Sequence, residues 1–265
     1  MQVSWLGFLA STGVPGMDFM LADPISAPAG HQLHFTEAIH HLPDTVNCFT
    51  PPTATDRLTP GPLPARERGH ITFGSFQNLA KLTPEVLTLW AEILRRLPDA
   101  RLRLQNKQMS HEASRLDVLS RLGAVGVTPD RVDLQGAVPD RQDYLAHHAE
   151  VDIILDTFPY PGITTTCEAL WMGVPTLTLA GDRLLSRQGA SLMHCAGLPD
   201  WVATDAHDYA DRAVSHANDL DGLERLRRAL RAQVLASPIF DAPRFASHLE
   251  SALHALWRQV RSPGP

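Results

Sequence analysis

The sequence predicts an α/β fold in which helices cover both faces of a parallel sheet, and three observations carry that prediction. Residues 151–179 read strand, turn, helix, strand, the unit from which such sheets are built. Short apolar runs alternate with helix-periodic stretches from residue 71 to residue 195. From residue 207 onward the pattern is helical.

In order along the chain, residues 2–7 (QVSWLG) predict a short strand and residues 17–22 (MDFMLA) a second, ended by Asp23-Pro24. Residues 25–48 are mixed, with helical tendency over 35–41. Between 49 and 69 five prolines (Pro51, Pro52, Pro60, Pro62, Pro64) occur with Gly61 and Gly69, the composition of an interdomain linker. Residues 71–76 form a strand. Thr83 then caps a helix that Pro84 opens, with Val86, Trp90, Ile93, Leu94 and Leu97 at helical spacing. Residues 101–104 read as an edge-like strand because Arg and Leu alternate, followed by a helix over 110–123, a strand over 132–134 and a helix over 140–149.

The run at 151–155 suits a buried parallel strand. A loop with Pro159, Pro161 and Gly162 leads into Thr164, Thr165 and Thr166. Thr165-x-x-Glu168 has capping-box spacing and predicts a helix start, which Gly173 and Pro175 end before a strand over 176–179. Helices follow over 186–195, 207–218, 221–235 and 243–260.

At 265 residues the chain is long enough for one large domain or two small ones, and 44% hydrophobic with 20% charged residues is ordinary for a globular protein. A net charge of -6 argues against general nucleic-acid binding. The three cysteines, Cys48, Cys167 and Cys195, make no disulfide framework, so a reducing cytoplasm is the expected compartment. With no long apolar run, neither a membrane span nor a signal peptide is expected. The chain enters a strand at once, which suggests a fragment.

Two stretches carry candidate chemistry. A capped helix explains Thr165 and Glu168, but not three consecutive hydroxyls after a Pro-Gly turn. An anion such as a diphosphate would meet the free N–H groups and positive dipole end of that helix. Spacing alone supports both readings. In FGSFQNLAK (73–81), Asn78 and Lys81 project from a loop after a strand, where the lysine serves either as a point charge for a phosphate or as an ordinary surface residue. The thirteen histidines have no zinc-site spacing. Asp219-Leu220-Asp221 fits a helix cap better than a metal triplet, and Arg225, Arg227, Arg228 and Arg231 read as a solvated helix face. Dinucleotide, P-loop and nucleophile-elbow motifs are absent.

Together these residues resemble the catalytic region of the O-linked N-acetylglucosamine transferase family, including its bacterial and SPINDLY-type members. The resemblance is carried by VSWLGFLASTG with MDFMLADP, FGSFQNLAKLTPEVLTLWAEIL, LDTFPYPGITTTCEALWMGVPTLTLAGDRLLSRQGAS and SPIFDAPRFASHLE. It implies a GT-B fold: part of an N-terminal Rossmann-like domain (1–48), a linker (49–69), a complete C-terminal nucleotide-sugar-binding domain (70–239) and a C-terminal helix (240–265) packing back on the N-terminal part. The implied activity is transfer of N-acetylglucosamine from UDP-GlcNAc to Ser or Thr hydroxyls of proteins, with no metal and no cofactor. The expected partners are a UDP-sugar and protein acceptors, with no nucleic acid and no membrane.

The resemblance also implies residue roles. Lys81 would contact the donor diphosphate and stabilise the leaving group, with Asn78 close to the same phosphates. Gly162, Thr164, Thr165 and Thr166 would form the diphosphate-binding turn, and Glu168 would hold the ribose hydroxyls. Ala137 and Val138 would meet the uracil through their backbone. Tyr144 stands where many members have a histidine beside the base, and Ile163 replaces a more polar residue. The first half of the N-terminal domain and any helical repeats are expected to precede this chain in the full-length protein. Two alternatives stay open: a nucleotide-sugar-binding fragment that cannot transfer, and the same scaffold using GDP-fucose or UDP-glucose.

Overall fold

The computed structural model describes residues 1–53 and 58–261. The chain opens with three short parallel strands, β1 (Val3–Ser4), β2 (Phe19–Ala22) and β3 (Ala38–His41), in the order β1-β2-β3. The helical tendency over 35–41 is overridden there. Ala38 to His41 pair residue by residue with Phe19 to Ala22, and a short 3-10 helix, Ala29–His34, precedes them. Pairing beside a fully buried strand outweighs a weak local propensity.

The stretch over 49–69 holds a helix, α1 (Pro64–Arg68), with Leu58, Leu63 and Ala65 buried; residues 54–57 of the expected linker lie outside the described residues. The second sheet follows. Its strands are β4 (Thr72–Ser75), β5 (Arg101–Gln105), β6 (Val132–Gln135), β7 (Ile153–Leu155), β8 (Thr176–Leu179) and β9 (Val202–Ala203). All pair in parallel in the order β6-β5-β4-β7-β8-β9. The helices between them are α2 (Pro84–Arg96), α3 (Glu112–Ala124), α4 (Arg141–Ala146), α5 (Thr164–Trp171) and α6 (Gln188–Cys195). Then come α7 (Ala206–Asn218), α8 (Leu220–Leu235) and α9 (Ala242–Arg261).

Thr83 accepts from the Val86 N–H, so α2 starts as its sequence predicts; Asp140 caps α4 by accepting from the Gln142 and Asp143 N–H groups, and the helix expected over 140–149 turns to a 3-10 helix at His147–Glu150. Asp219 caps α8 by accepting from the Gly222 N–H, the cap role expected of that acidic triplet. The core between sheet and helices holds Phe73, Trp90, Ile93, Leu102, Ile153, Leu177 and Leu230, all essentially inaccessible. Each such side chain contributes roughly 1.5–3 kcal/mol by leaving water.

Two further expectations need correction. β5 is an inner strand; its alternation arises because Arg103 is buried in ion pairs with Asp133 at 2.5 Å and Glu150 at 2.9 Å. The basic run on α8 is solvated only in part. Arg225 and Arg228 are exposed, whereas Arg227 is buried and donates to the carbonyls of Gly61, Val151 and Ala149. Arg231 lies over the Trp171 ring at 4.0 Å and donates to the Trp171 carbonyl. The two-residue strand β9 had no counterpart in the sequence expectations.

α9 returns to the first sheet, where Ala252 and Leu256 pack with Phe19, Leu21, Leu42 and Val46. Arg244 clasps Asp44 with both oxygens at 2.8 Å. The two sheets are also joined by polar contacts, Ser191 Oγ to Asp23 Oδ2 at 2.8 Å and Arg187 Nε to the Ile25 carbonyl at 2.7 Å.

Candidate functional site

Strand order places the site. The chain lays down β4, then β5 and β6 on one side, then crosses back to set β7 on the other side of β4. Such a switch point opens a crevice beyond the carboxyl ends of the two adjacent strands, β4 and β7. The loop after β4 carries Gln77, Asn78 and Lys81, and the loop after β7 runs from Asp156 to the start of α5. Two stretches about eighty residues apart in sequence are thereby brought into contact, as the 80-residue separation of Lys81 and Pro161 records.

A cavity of about 340 Å³ lies between these loops, lined by Phe76, Gln77, Asn78, Lys81, Tyr160, Pro161, Ile163, Thr164 and Thr165. Lys81 Nζ donates to Gln77 Oε1 at 3.0 Å and to the Pro161 carbonyl at 2.9 Å, and it lies 4.0 Å from the centre of the Tyr160 ring. Gln77 Nε2 in turn donates to Thr165 Oγ1 at 2.8 Å. Lysine and threonine therefore meet on one wall through a single amide. Burial lowers the Lys81 pKa, and the Asp156 carboxylate opposes that shift.

Asp156 is the buried anchor of the turn. Its Oδ1 accepts from the N–H groups of Gly162 at 2.8 Å and Thr157 at 3.0 Å and from Gln77 Nε2 at 3.4 Å, and its Oδ2 accepts from Thr178 Oγ1 at 3.0 Å. Burial raises its pKa to about 6 against the pull of these donors and of Lys81. Gly162 is required by space: a Cβ there would lie 2.2 Å from Gln77 Nε2, 2.5 Å from Thr165 Oγ1 and 2.8 Å from Thr166 Oγ1.

The helix start differs from the capping box that its spacing predicts. α5 begins at Thr164 with Ile163 as its N-cap, and no side chain caps it. Glu168 does not turn back to the first turn. It is buried, with Oε1 2.5 Å from Arg141 and Oε2 accepting from the Tyr144 hydroxyl at 3.1 Å. A full positive charge and a phenol compete better for a buried carboxylate than a backbone N–H does. The first-turn N–H groups, which have no i−4 carbonyl of their own, are thus left without a side-chain acceptor beside the cavity.

Of the predicted residues, Lys81, Asn78, Thr164 and Thr165 line the cavity, and Gly162 lies close against Gln77 and Thr165 of that lining. Asn78 caps its own loop, its Oδ1 accepting from the Ala80 N–H at 2.9 Å. Thr166 is buried and donates to the Gly162 carbonyl at 3.2 Å, so its hydroxyl serves the turn rather than the cavity. Tyr144 and Glu168 form an adjoining layer: the Tyr144 ring packs edge-on against Phe76, which lines the cavity and stacks on His148 at 4.0 Å. Burial holds the His148 pKa down to about 3, so the stack is neutral. Ala137 and Val138 lie in the loop after β6, outside the lining, where the Ala137 N–H donates to Ser110 Oγ at 2.8 Å. Gln77 and Asp156 were missed as site residues. The only signal was their position directly after two apolar strand runs, which does not by itself distinguish them from loop polar residues.

Among the described residues, no group of three or more His, Cys, Asp or Glu is placed to hold a metal, and no helix is long and apolar enough to cross a membrane.

A sequence profile of glycosyl transferase family 41 matches residues 63–249. The chain is 38% identical over 258 residues to a protein of Petunia hybrida named probable UDP-N-acetylglucosamine–peptide N-acetylglucosaminyltransferase SPINDLY, covering 97% of this chain and 28% of that one. It is 30% identical over 264 residues to the Arabidopsis thaliana protein of the same enzymatic name called SEC, covering 97% of this chain and 26% of that one. A solved structure of a Thermobaculum terrenum O-GlcNAc transferase mutant superposes with a TM-score of 0.88 at 36% identity, over 98% of this chain and 48% of that one. The sucrose-phosphate synthase of Thermosynechococcus elongatus superposes at 0.56 with 14% identity, over 91% of this chain and 59% of that one, a likeness of fold alone. The chain thus spans little more than a quarter of the curated relatives it matches.

Proposed function

From the premise that this chain belongs to glycosyl transferase family 41 and has the α/β GT-B architecture, we propose that the cavity between the β4 and β7 loops binds the diphosphate of a UDP-sugar. The whole protein would then transfer N-acetylglucosamine from UDP-GlcNAc to Ser or Thr hydroxyls of protein acceptors. The observation that carries this reading is the junction Lys81–Gln77–Thr165, an ammonium and a hydroxyl bridged by one amide at the start of an uncapped helix.

The chemistry follows from charge. As the bond between the anomeric carbon and the diphosphate oxygen breaks, negative charge grows on the departing UDP. Lys81 supplies a positive charge already fixed in place, and the N–H groups and hydroxyls at Thr164 and Thr165 supply donors that need no reorganisation. The acceptor hydroxyl attacks the anomeric carbon directly, with no covalent enzyme intermediate: the new C–O bond replaces the bond to the diphosphate oxygen, UDP leaves, and the hydroxyl proton is released to water. Glu168, bonded to Arg141 and Tyr144, is the residue assigned to the ribose hydroxyls, and the loop at Ala137 and Val138 is assigned to the base. No metal or cofactor has a role in this scheme, and a cytoplasmic setting is part of the same proposal.

Isothermal titration of the folded chain with UDP tests this reading. Saturable binding that falls about tenfold or more in Lys81→Met is expected, the loss typical of a hydrogen bond to a charged group. A folded chain that shows no heat of binding at millimolar UDP overturns it.

A further inference from the structure

Gln77 bridges Lys81 and Thr165, and its surroundings are specific. The side chain is 5% exposed and stands between three groups of defined polarity. Its Oε1 faces the Lys81 ammonium at 3.0 Å; its Nε2 faces Thr165 Oγ1 at 2.8 Å and Asp156 Oδ1 at 3.4 Å. An ammonium only donates and a carboxylate only accepts, so the amide has one permitted orientation. Its oxygen must point to Lys81 and its NH2 to Thr165 and Asp156.

That orientation has a consequence for Thr165. The hydroxyl oxygen already accepts a hydrogen bond from Gln77, so its own proton is available to donate elsewhere. Thr165 also lines the cavity. The backbone of Gln77 is held as well, its carbonyl accepting from Asn106 Nδ2 at 3.1 Å. Gly162 leaves the room the amide needs, since a Cβ there would collide with Nε2.

We propose that Gln77 is a positioning residue of the anion site: its fixed amide makes the Thr165 hydroxyl a one-way donor into the cavity and holds Lys81 beside it. The inference rests on the diphosphate reading of the cavity. Gln77 acts through Thr165 and Lys81 rather than by carrying charge itself. Its effect therefore depends in part on Thr165 being present, and wholly on the ligand having phosphates.

A double-mutant cycle on the whole chain tests both conditions, with UDP and uridine as probes and isothermal titration as the readout. Gln77→Leu keeps the volume and removes the amide; Thr165→Val keeps the shape and removes the hydroxyl. Each is expected to weaken UDP about tenfold, and the double variant to lose clearly less than about a hundredfold, because the Gln77–Thr165 contact can be removed only once, whereas the Gln77–Lys81 contact is still lost when Thr165 is already valine. Uridine affinity is expected to stay within about twofold of wild type in Gln77→Leu, since the loss is confined to phosphate contacts. Gln77→Met, flexible and of similar length, gives a second arm with the same expectations should the leucine variant not fold. Additive losses, an equal loss for uridine, or unchanged UDP affinity in a folded Gln77 variant overturns the role of Gln77 and leaves the diphosphate reading standing. Failure of the wild-type chain to bind UDP overturns both.

Discussion

Gly162→Ala is a small change placed where three site groups converge. The glycine does not have a left-handed φ, so alanine is conformationally acceptable and the effect is steric alone. The new methyl would lie 2.2 Å from Gln77 Nε2, 2.5 Å from Thr165 Oγ1 and 2.8 Å from Thr166 Oγ1, all well inside van der Waals contact. Gln77 cannot swing clear without losing Lys81, Thr165 or Asp156. Overpacking of this kind costs about 1–3 kcal/mol, and each broken hydrogen bond about 1 kcal/mol more. The stability loss is expected at roughly 2–4 kcal/mol in urea denaturation, a fall in Tm of several degrees. UDP affinity should fall by about tenfold or more, because the Gln77–Thr165 contact is the first to yield. A variant with wild-type stability and wild-type UDP affinity would show that amide, hydroxyl and glycine do not meet as described.

Other expectations concern stability, pH and ligand choice. Arg227→Met should cost roughly 3 kcal/mol or more in urea denaturation, because three carbonyls lose their shared donor and Asp152 loses a nearby positive charge. Arg225→Met, on the exposed face, should stay within about 0.5 kcal/mol, and equal costs for the two variants would contradict the burial of Arg227. Asp156 has its folded pKa raised to about 6 from an ordinary 3.8, so its stabilising contribution is complete below pH 3.8 and is lost as pH rises through 6. Relative to Asp156→Asn, the wild-type chain should therefore lose roughly 2–2.5 kcal/mol between pH 4 and pH 7; parallel stability profiles would refute the raised value. In a thermal-shift assay UDP at a hundred times its Kd should add about 2.7 kcal/mol of stability and GDP much less. The reverse order would point to a guanine-nucleotide donor.

The parallel α/β fold was legible because its signals are local and repeated. Apolar runs set β4 and β7, Thr83-Pro84 set the start of α2, and Gly173, which adopts a φ of +78°, ended α5. What escaped depends on contacts far apart in sequence. Residues 38–41 became a strand because β2 lay ready to pair with them, and Arg227 became core because three carbonyls from other segments surround it. The capping box failed for the same reason: Arg141, twenty-seven residues upstream, takes the carboxylate that the spacing assigned to the helix start. Lys81 and Thr165 could each be singled out by residue type and local setting, and their convergence follows from the strand order at β4 and β7. Gln77 carried no such mark, since an amide beside a lysine gains meaning only when its other face reaches Thr165.

A structure of the chain crystallised with UDP is the most direct measurement. Diphosphate oxygens are expected within hydrogen-bond distance of Lys81 Nζ and Thr165 Oγ1, with the nucleoside extending past Phe76 toward Tyr144 and Glu168. UDP seated elsewhere, with Lys81 still bound only to Gln77 and Pro161, would contradict the diphosphate reading.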